Sequence, residues 1–306
     1  MSFLGRDILS IRDLSREDLE LILDKSKIME KIIETKKNLD FASGRVLASL
    51  FFEPSTRTRF SFESAMHRLG GRVVGISERE TTSLAKGETL ADTIKTIEKY
   101  SDVIVIRHPK EGSARWAAEV AKIPVINAGD GANQHPTQTL LDLYSIKKEK
   151  GKIDGLSIAL VGDLKYGRTV HSLAYALAHY DSNIICISPK GLEMPESVIN
   201  DLKSYNSSLK QTHDLKELVD ADVIYVTRIQ RERFADPSEY EKVKGTYRLS
   251  AEILRNTDAI VLHPLPRIDE IDPSLDSTAH AKYFDQVLNG LIVRMALLCL
   301  VLGVDF

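Results

Sequence analysis

Residues 46–60, VLASLFFEPSTRTRF, decide the fold. Val46 to Phe52 is an unbroken apolar run of strand length, Pro54 marks a turn, and an apolar helical run follows Ser55 to Thr58. A strand that turns directly into a helix is half of a βαβ unit, so a parallel sheet is expected. The turn also concentrates hydroxyls and guanidiniums. Backbone N–H groups at the helix start, the helix dipole, the hydroxyls of Ser55, Thr56 and Thr58 and the guanidinium of Arg57 together suit a phosphate. A bare Ser-Thr-Arg is more often an ordinary helix cap with a solvated basic turn, so the rest of the chain has to decide.

Outward from this segment the same rhythm continues. A helical stretch from about Ser15 to Lys37 precedes it, with Ser15, Glu17 and Asp18 as its start. VVGIS, VIVIR and PVINA supply further strands, with helices over Phe60 to Leu69, Thr89 to Tyr100 and Ala114 to Ala121. After a helix from His135 to Lys150, a second series follows: SIALVGD, NIICIS, VIYVTR and AIVLHP. The expected fold class is α/β, with two domains, each a parallel-sheet α/β sandwich, joined by interdomain helices. The expected boundaries are 1–134 for the first domain, 135–150 for a bridging helix and 151–286 for the second domain. The terminal helix, 287–306, is expected to pack back on the first.

At 306 residues the chain has material for two cores, and 43% hydrophobic with 28% charged residues is ordinary for a soluble globular protein. A net charge of -3 gives no electrostatic case for nucleic acid or a membrane surface. Cys186 and Cys299 lie in apolar runs without metal-ligand spacing and read as buried thiols in a reducing compartment; no metal and no cofactor is called for. Val287 to Val304 is the most apolar stretch. Asn289, Gly290 and Arg294 interrupt it, which favours a buried helix over a membrane span. MSFLGRDILSIRD has no long apolar core, so cytoplasm is the default location.

Five polar clusters sit at strand ends or helix starts: STRTR at 55–59, TSLAKGETLADT at 82–93, RHP at 107–109, NQHPTQT at 133–139 and HPLP at 263–266. Singly, each reads as local structure; their joint order is the specific signal. With VGDLKYGRTVHSL and TRIQRERF, they make the chain resemble the aspartate and ornithine carbamoyltransferases, and over nearly its whole length the catalytic chain of the aspartate branch. The resemblance implies transfer of the carbamoyl group of carbamoyl phosphate to the α-amino group of L-aspartate, an early step of pyrimidine biosynthesis. It makes the first domain the carbamoyl phosphate-binding one and the second the aspartate-binding one.

Carried over residue by residue, Ser55, Thr56, Arg57 and Thr58 cradle the phosphate, and Ser83 and Lys86 reach in from the adjacent subunit. SLAKGE has one lysine where some members have two, and Lys86, next to Gly87, is the equivalent. Arg107, His135 and Thr58 hold the carbonyl oxygen and its oxyanion. Gln138 and the backbone of Pro264 and Leu265 hold the carbamoyl NH2. Arg168 and Arg228, with Gln230 and Lys86, grip aspartate, guanidinium forks being matched to its two carboxylates. Lys86 in trans implies a homotrimer with shared active sites, and any allosteric control implies a separate regulatory chain. No residue stands out as general base; the departing phosphate can take the amine proton. Glu53 reads as structural, with Arg168 or Arg233 as its expected partner across the domain gap on closure.

Three other readings compete. VGDLKYG suggests a dinucleotide-binding oxidoreductase, yet only Gly162 and Gly167 are present and GxGxxG is absent. Ornithine, or another amino acid, is the alternative acceptor; HPLP in place of a cysteine-containing motif, and Arg228 within TRIQ, suit a second carboxylate instead. A catalytically silent assembly subunit is disfavoured by the intact set of site residues.

Overall fold

The computed structural model describes residues 2–36, 39–76, 86–205, 208–230, 234 and 236–306, and its strands gather into two all-parallel sheets. The chain divides into one unit of residues 1–144 and 287–306 and another of residues 145–286.

The first unit begins with α1 (Arg16–Thr35), whose Ser15 and Asp18 form a reciprocal capping box. There follow β1 (Val46–Phe51), α2 (Thr56–Arg68), β2 (Arg72–Ile76), α3 (Leu90–Ile97), β3 (Val103–His108), α4 (Ser113–Val120), β4 (Val125–Asp130) and α5 (Pro136–Lys150). The sheet order is β2-β1-β3-β4. Side chains alternate across it. Ala48, Leu50, Ile104 and Ile106 pack with Ile94 of α3 and Ala114 and Ala117 of α4, while Ser49, one residue out of phase, bonds Glu63 of α2 on the other face. Helix α5 runs through the division between units, which falls after Tyr144.

The second unit contains β5 (Ser157–Val161), α6 (Arg168–Leu177), β6 (Asn183–Ile187), α7 (Glu196–Ser204), β7 (Ser208–Thr212), β8 (Val223–Val226), α8 (Pro237–Val243) and β9 (Ile260–Leu262), in the sheet order β7-β6-β5-β8-β9. The edge strand β7, SLKQT, escaped the sequence reading because an edge exposed to water needs no apolar run. One device recurs in both sheets. The Asp102 carboxylate accepts from Val46 N–H at 2.8 Å while Asp102 N–H donates to Val46 C=O; Asp222 does the same with Ser157 at the same distance. Each aspartate thus pins the first residue of the central strand to the segment that opens its neighbour.

The last helix, α9 (Asp285–Leu302), is the one described helix long and apolar enough to cross a membrane. Its window is 72% buried inside the protein, and from Val287 onward it belongs to the first unit, so it is a core helix, as Arg294 within it requires.

Candidate active site

The first unit presents an uncapped helix start at the STRTR segment. Ser55 occupies the cap position of α2 in an extended conformation, but its hydroxyl makes no capping hydrogen bond, and the first turn has no acidic residue. The amino-terminal N–H groups and their positive dipole end are therefore not satisfied by the chain's own cap. The helix begins at Thr56, four residues before the apolar period starts at Phe60, so Thr56, Arg57 and Thr58 stand in the first turn itself. The two arginines of STRTR part here. Arg59 Nε is tied at 2.8 Å to Glu63, which also accepts from Ser49 at 2.9 Å, whereas Arg57 is exposed.

Arg107, at the end of β3, is clamped. Its Nη1 donates to Ala128 C=O at 3.2 Å and its Nη2 to Glu53 at 3.0 Å, with the side chain 11% exposed. Its Nε is buried and has no hydrogen-bond partner among the described residues. Burial pulls the Arg107 pKa below its ordinary value, and the Glu53 charge partly offsets this. Arg107 is thus one partner of Glu53; the carboxylate two residues beyond β1 meets the end of adjacent β3. Arg233 lies outside the described residues.

The loop before α5 is organised by Asp130, which is buried and accepts from Asn127, Asn133, Gln134 N–H and Gly112 N–H at 2.9–3.1 Å. It ties NAGDGANQ to the loop that follows β3 and sets up His135, which is 4% exposed and whose C=O accepts from Gln138 and Thr139 N–H. Gln138 Nε2 donates to Asp142 at 2.8 Å. Lys86 is exposed and Ser83 lies outside the described residues.

In the second unit, Asp163 brackets the segments of Arg168, Arg228 and Gln230. Its carboxylate is fully buried and accepts from Tyr166 N–H at 2.9 Å and Gln230 N–H at 3.3 Å; Gln230 Nε2 in turn donates to Tyr166 C=O at 3.3 Å. The turn that leads to Arg168, the first residue of α6, is so joined to the segment of Arg228 and Gln230 after β8. Burial raises the Asp163 pKa, with the backbone N–H donors of Tyr166, Gln230 and Lys165 opposing. The glycines that suggested a dinucleotide are explained by close packing. A Cβ on Gly162 would lie 2.2 Å from Thr227 C=O, and one on Gly167 2.5 Å from Asp163 C=O.

HPLP forms a bowed loop. His263 Nδ1 accepts from Leu265 N–H at 2.7 Å, so its Nε2 carries the proton and donates to Glu270 at 2.7 Å; Glu270 also accepts from Ile268 and Asp269 N–H. Leu265 has φ 57, the one non-glycine with positive φ among the described residues. Its N–H is taken and Pro264 has none, so this backbone has only carbonyl acceptors to present. The sequence singled out Pro264 and Leu265 but missed their buttress, whose signal was the spacing of His263 and Glu270 around the prolines.

Comparison with known families decides which class of protein carries these two parallel-sheet units. The carbamoyl-P binding domain of aspartate/ornithine carbamoyltransferases matches residues 6–148 and the Asp/Orn binding domain of the same family matches residues 154–301. The chain belongs to the aspartate/ornithine carbamoyltransferase family. It is 62% identical to the aspartate carbamoyltransferase catalytic subunit of Thermococcus kodakarensis, over 99% of both chains, and 58% identical to that of Methanopyrus kandleri, again over 99% of both. Among solved structures it resembles the catalytic subunit of M. jannaschii aspartate transcarbamoylase (52% identity, TM-score 0.91, covering 96% of this chain and 97% of that one). It also resembles the Trypanosoma cruzi aspartate transcarbamoylase solved with carbamoyl phosphate and aspartate (40% identity, TM-score 0.92, 98% and 96%).

Proposed function

We propose that the chain is the catalytic chain of an aspartate carbamoyltransferase acting in the cytoplasm on carbamoyl phosphate and L-aspartate. The observation that carries the phosphate half of this reading is the uncapped, acid-free start of α2 at STRTR. The choice of aspartate over ornithine rests on the relatives and on Arg228. In this reading residues 1–134 with 287–306 bind carbamoyl phosphate, 151–286 bind aspartate and 135–150 bridge them.

The α-amino group attacks the carbonyl carbon, forming the C–N bond and a tetrahedral oxyanion. Collapse breaks the C–O bond to phosphate, which leaves with the electron pair and accepts the amine proton. Ser55, Thr56, Arg57 and Thr58 hold the phosphate. Arg107 Nε, His135 and Thr58 stabilise the oxyanion, donors fixed beforehand being the larger part of such catalysis. Gln138 and the carbonyls of Pro264 and Leu265 accept from the carbamoyl NH2, and Arg168, Arg228 and Gln230 hold aspartate. Ser83 and Lys86 complete the site from a neighbouring subunit of a homotrimer; a separate regulatory chain is compatible with this arrangement.

The test is product analysis with carbamoyl phosphate and either aspartate or ornithine. N-carbamoyl-L-aspartate is the expected product, and preferential citrulline formation overturns the assignment.

A further inference from the structure

Gln138 has an amide whose two ends are chemically opposite, an acceptor oxygen and a donor nitrogen, and a ligand meets whichever end is turned to it. In this structure the nitrogen end is spoken for. Nε2 donates to Asp142 Oδ1 at 2.8 Å, one helical turn along α5, and Gln138 is 8% exposed while Asp142 is fully buried. The oxygen end makes no hydrogen bond among the described residues.

What fixes this polarity lies behind Asp142. Arg294 of α9 is buried, donates from Nη1 to Ser61 at 3.0 Å and from Nη2 to Thr137 at 3.4 Å, lies over the Phe62 ring and is attracted by the Asp142 charge. Burial pushes the Arg294 pKa down to about 10, which still leaves it charged at neutral pH. A buried guanidinium without a counter-charge is costly, so Asp142 stands as a carboxylate. A carboxylate only accepts. Gln138 must therefore give it the NH2 end, since turning the amide round would set oxygen against oxygen at hydrogen-bond distance.

We propose that Asp142 is a positioning residue that sets which end of the Gln138 amide faces the ligand, and so makes the site select a carbamoyl NH2 over a methyl group of the same shape. This rests on the reading of Gln138 as a contact to the carbamoyl group. With its oxygen outward, Gln138 accepts from an NH2 and leaves a methyl group unrewarded. With residue 142 unable to enforce the orientation, both ends become available and the discrimination fades.

Phosphonoacetamide and acetonylphosphonate test this directly, because they share the phosphonate and the carbonyl and differ only in NH2 against CH3. Calorimetry on the full-length protein gives each affinity. The wild type is expected to prefer the amide by about tenfold to a hundredfold, the span for a buried acceptor left without its donor. In Asp142→Asn, where residue 142 can donate as well as accept, the preference is expected to fall by about threefold or more, toward the share that the carbonyls of Pro264 and Leu265 keep. In Gln138→Ala the preference should fall as far, to the share that the carbonyls of Pro264 and Leu265 keep, and adding Asp142→Asn to it should change the ratio no further. An Asp142→Asn protein that keeps the wild-type preference overturns the proposal. So does one whose effect on the ratio is as large in the Gln138→Ala background, since that is the behaviour of a merely structural residue.

If Asp142→Asn fails to fold beside Arg294, the exchange Gln138→Glu with Asp142→Asn carries the test. It keeps one carboxylate and one amide, and residue 138 can then only accept. A folded exchange variant should favour the amide by about tenfold or more, and one with no more preference than Gln138→Ala overturns the proposal. Binding ratios do not depend on turnover. A protein that shows them yet makes no N-carbamoyl-L-aspartate refutes the proposed activity alone, whereas one that makes the product with ratios insensitive to residue 142 refutes the role of Asp142 alone.

Discussion

His135 illustrates how much rests on single donors. It is almost wholly buried at the start of α5, behind a loop that Asp130 holds with four hydrogen bonds, so its imidazole is placed before any ligand arrives. Replacing His135 with Ala is expected to lower turnover by about one to three orders of magnitude, the range for losing one oxyanion donor, with the protein still folded. Steady-state rates with circular dichroism check this, and near-normal turnover would remove His135 from the set. At this scale the sequence was most legible where chemistry demands particular side chains, as at STRTR and HPTQ. It was least legible for the residues that hold those side chains. Nothing local distinguishes Glu53, Asp130 or Asp163 from surface acids until the fold brings donors to them.

At the scale of elements, the turn after β5 shows why its glycines are needed. Gly162 has φ 113 and approaches Thr227 of the strand end beside it so closely that no side chain fits. Gly162→Ala should therefore destabilise the second unit by about 2 kcal/mol or more, from backbone strain together with overpacking. Because Asp163 is the next residue, aspartate affinity should fall as well. Urea unfolding and calorimetry read the two effects, and a variant as stable as the parent would dismiss the close-packing account. The buried strands were evident as apolar runs and α1 from its capping box. The edge strand β7 was not, since its exposure pattern follows from pairing with β6 alone.

At the scale of the whole molecule, the proposed ligand sets divide along the chain: phosphate-directed residues lie up to Gln138 and aspartate-directed ones at Arg168 and beyond. One molecule joining a phosphonate to aspartate is expected to bind far more tightly than either piece, because the second group binds without a second loss of translational freedom. Calorimetry would show it, and affinity no better than that of phosphate would count against a single shared reaction. The assembly has its own test. If Lys86 acts in a neighbouring subunit, Lys86→Ala and Arg57→Ala proteins should each be nearly inactive. Subunits dissociated and reassembled in equal amounts should recover roughly a quarter of wild-type activity, since every mixed trimer of a closed ring contains one intact pairing. Demonstrably mixed trimers without activity would return Lys86 to its own chain or remove it from the site.

The sequence alone determined the α/β class, the parallel sheets and the family, because apolar periodicity and an ordered set of reactive motifs are local properties that survive in one dimension. Only the tertiary structure decided which polar groups are spent on the protein and which are left over. Arg59 is tied to Glu63, Glu53 to Arg107, Leu265 N–H to His263 and Gln138 Nε2 to Asp142. The Ser55 hydroxyl is not used as a cap and Arg107 Nε is left without a partner among the described residues. The physical reason is that buried hydrogen bonding is an account settled among groups distant in sequence, and what remains unpaired appears only after the chain has folded.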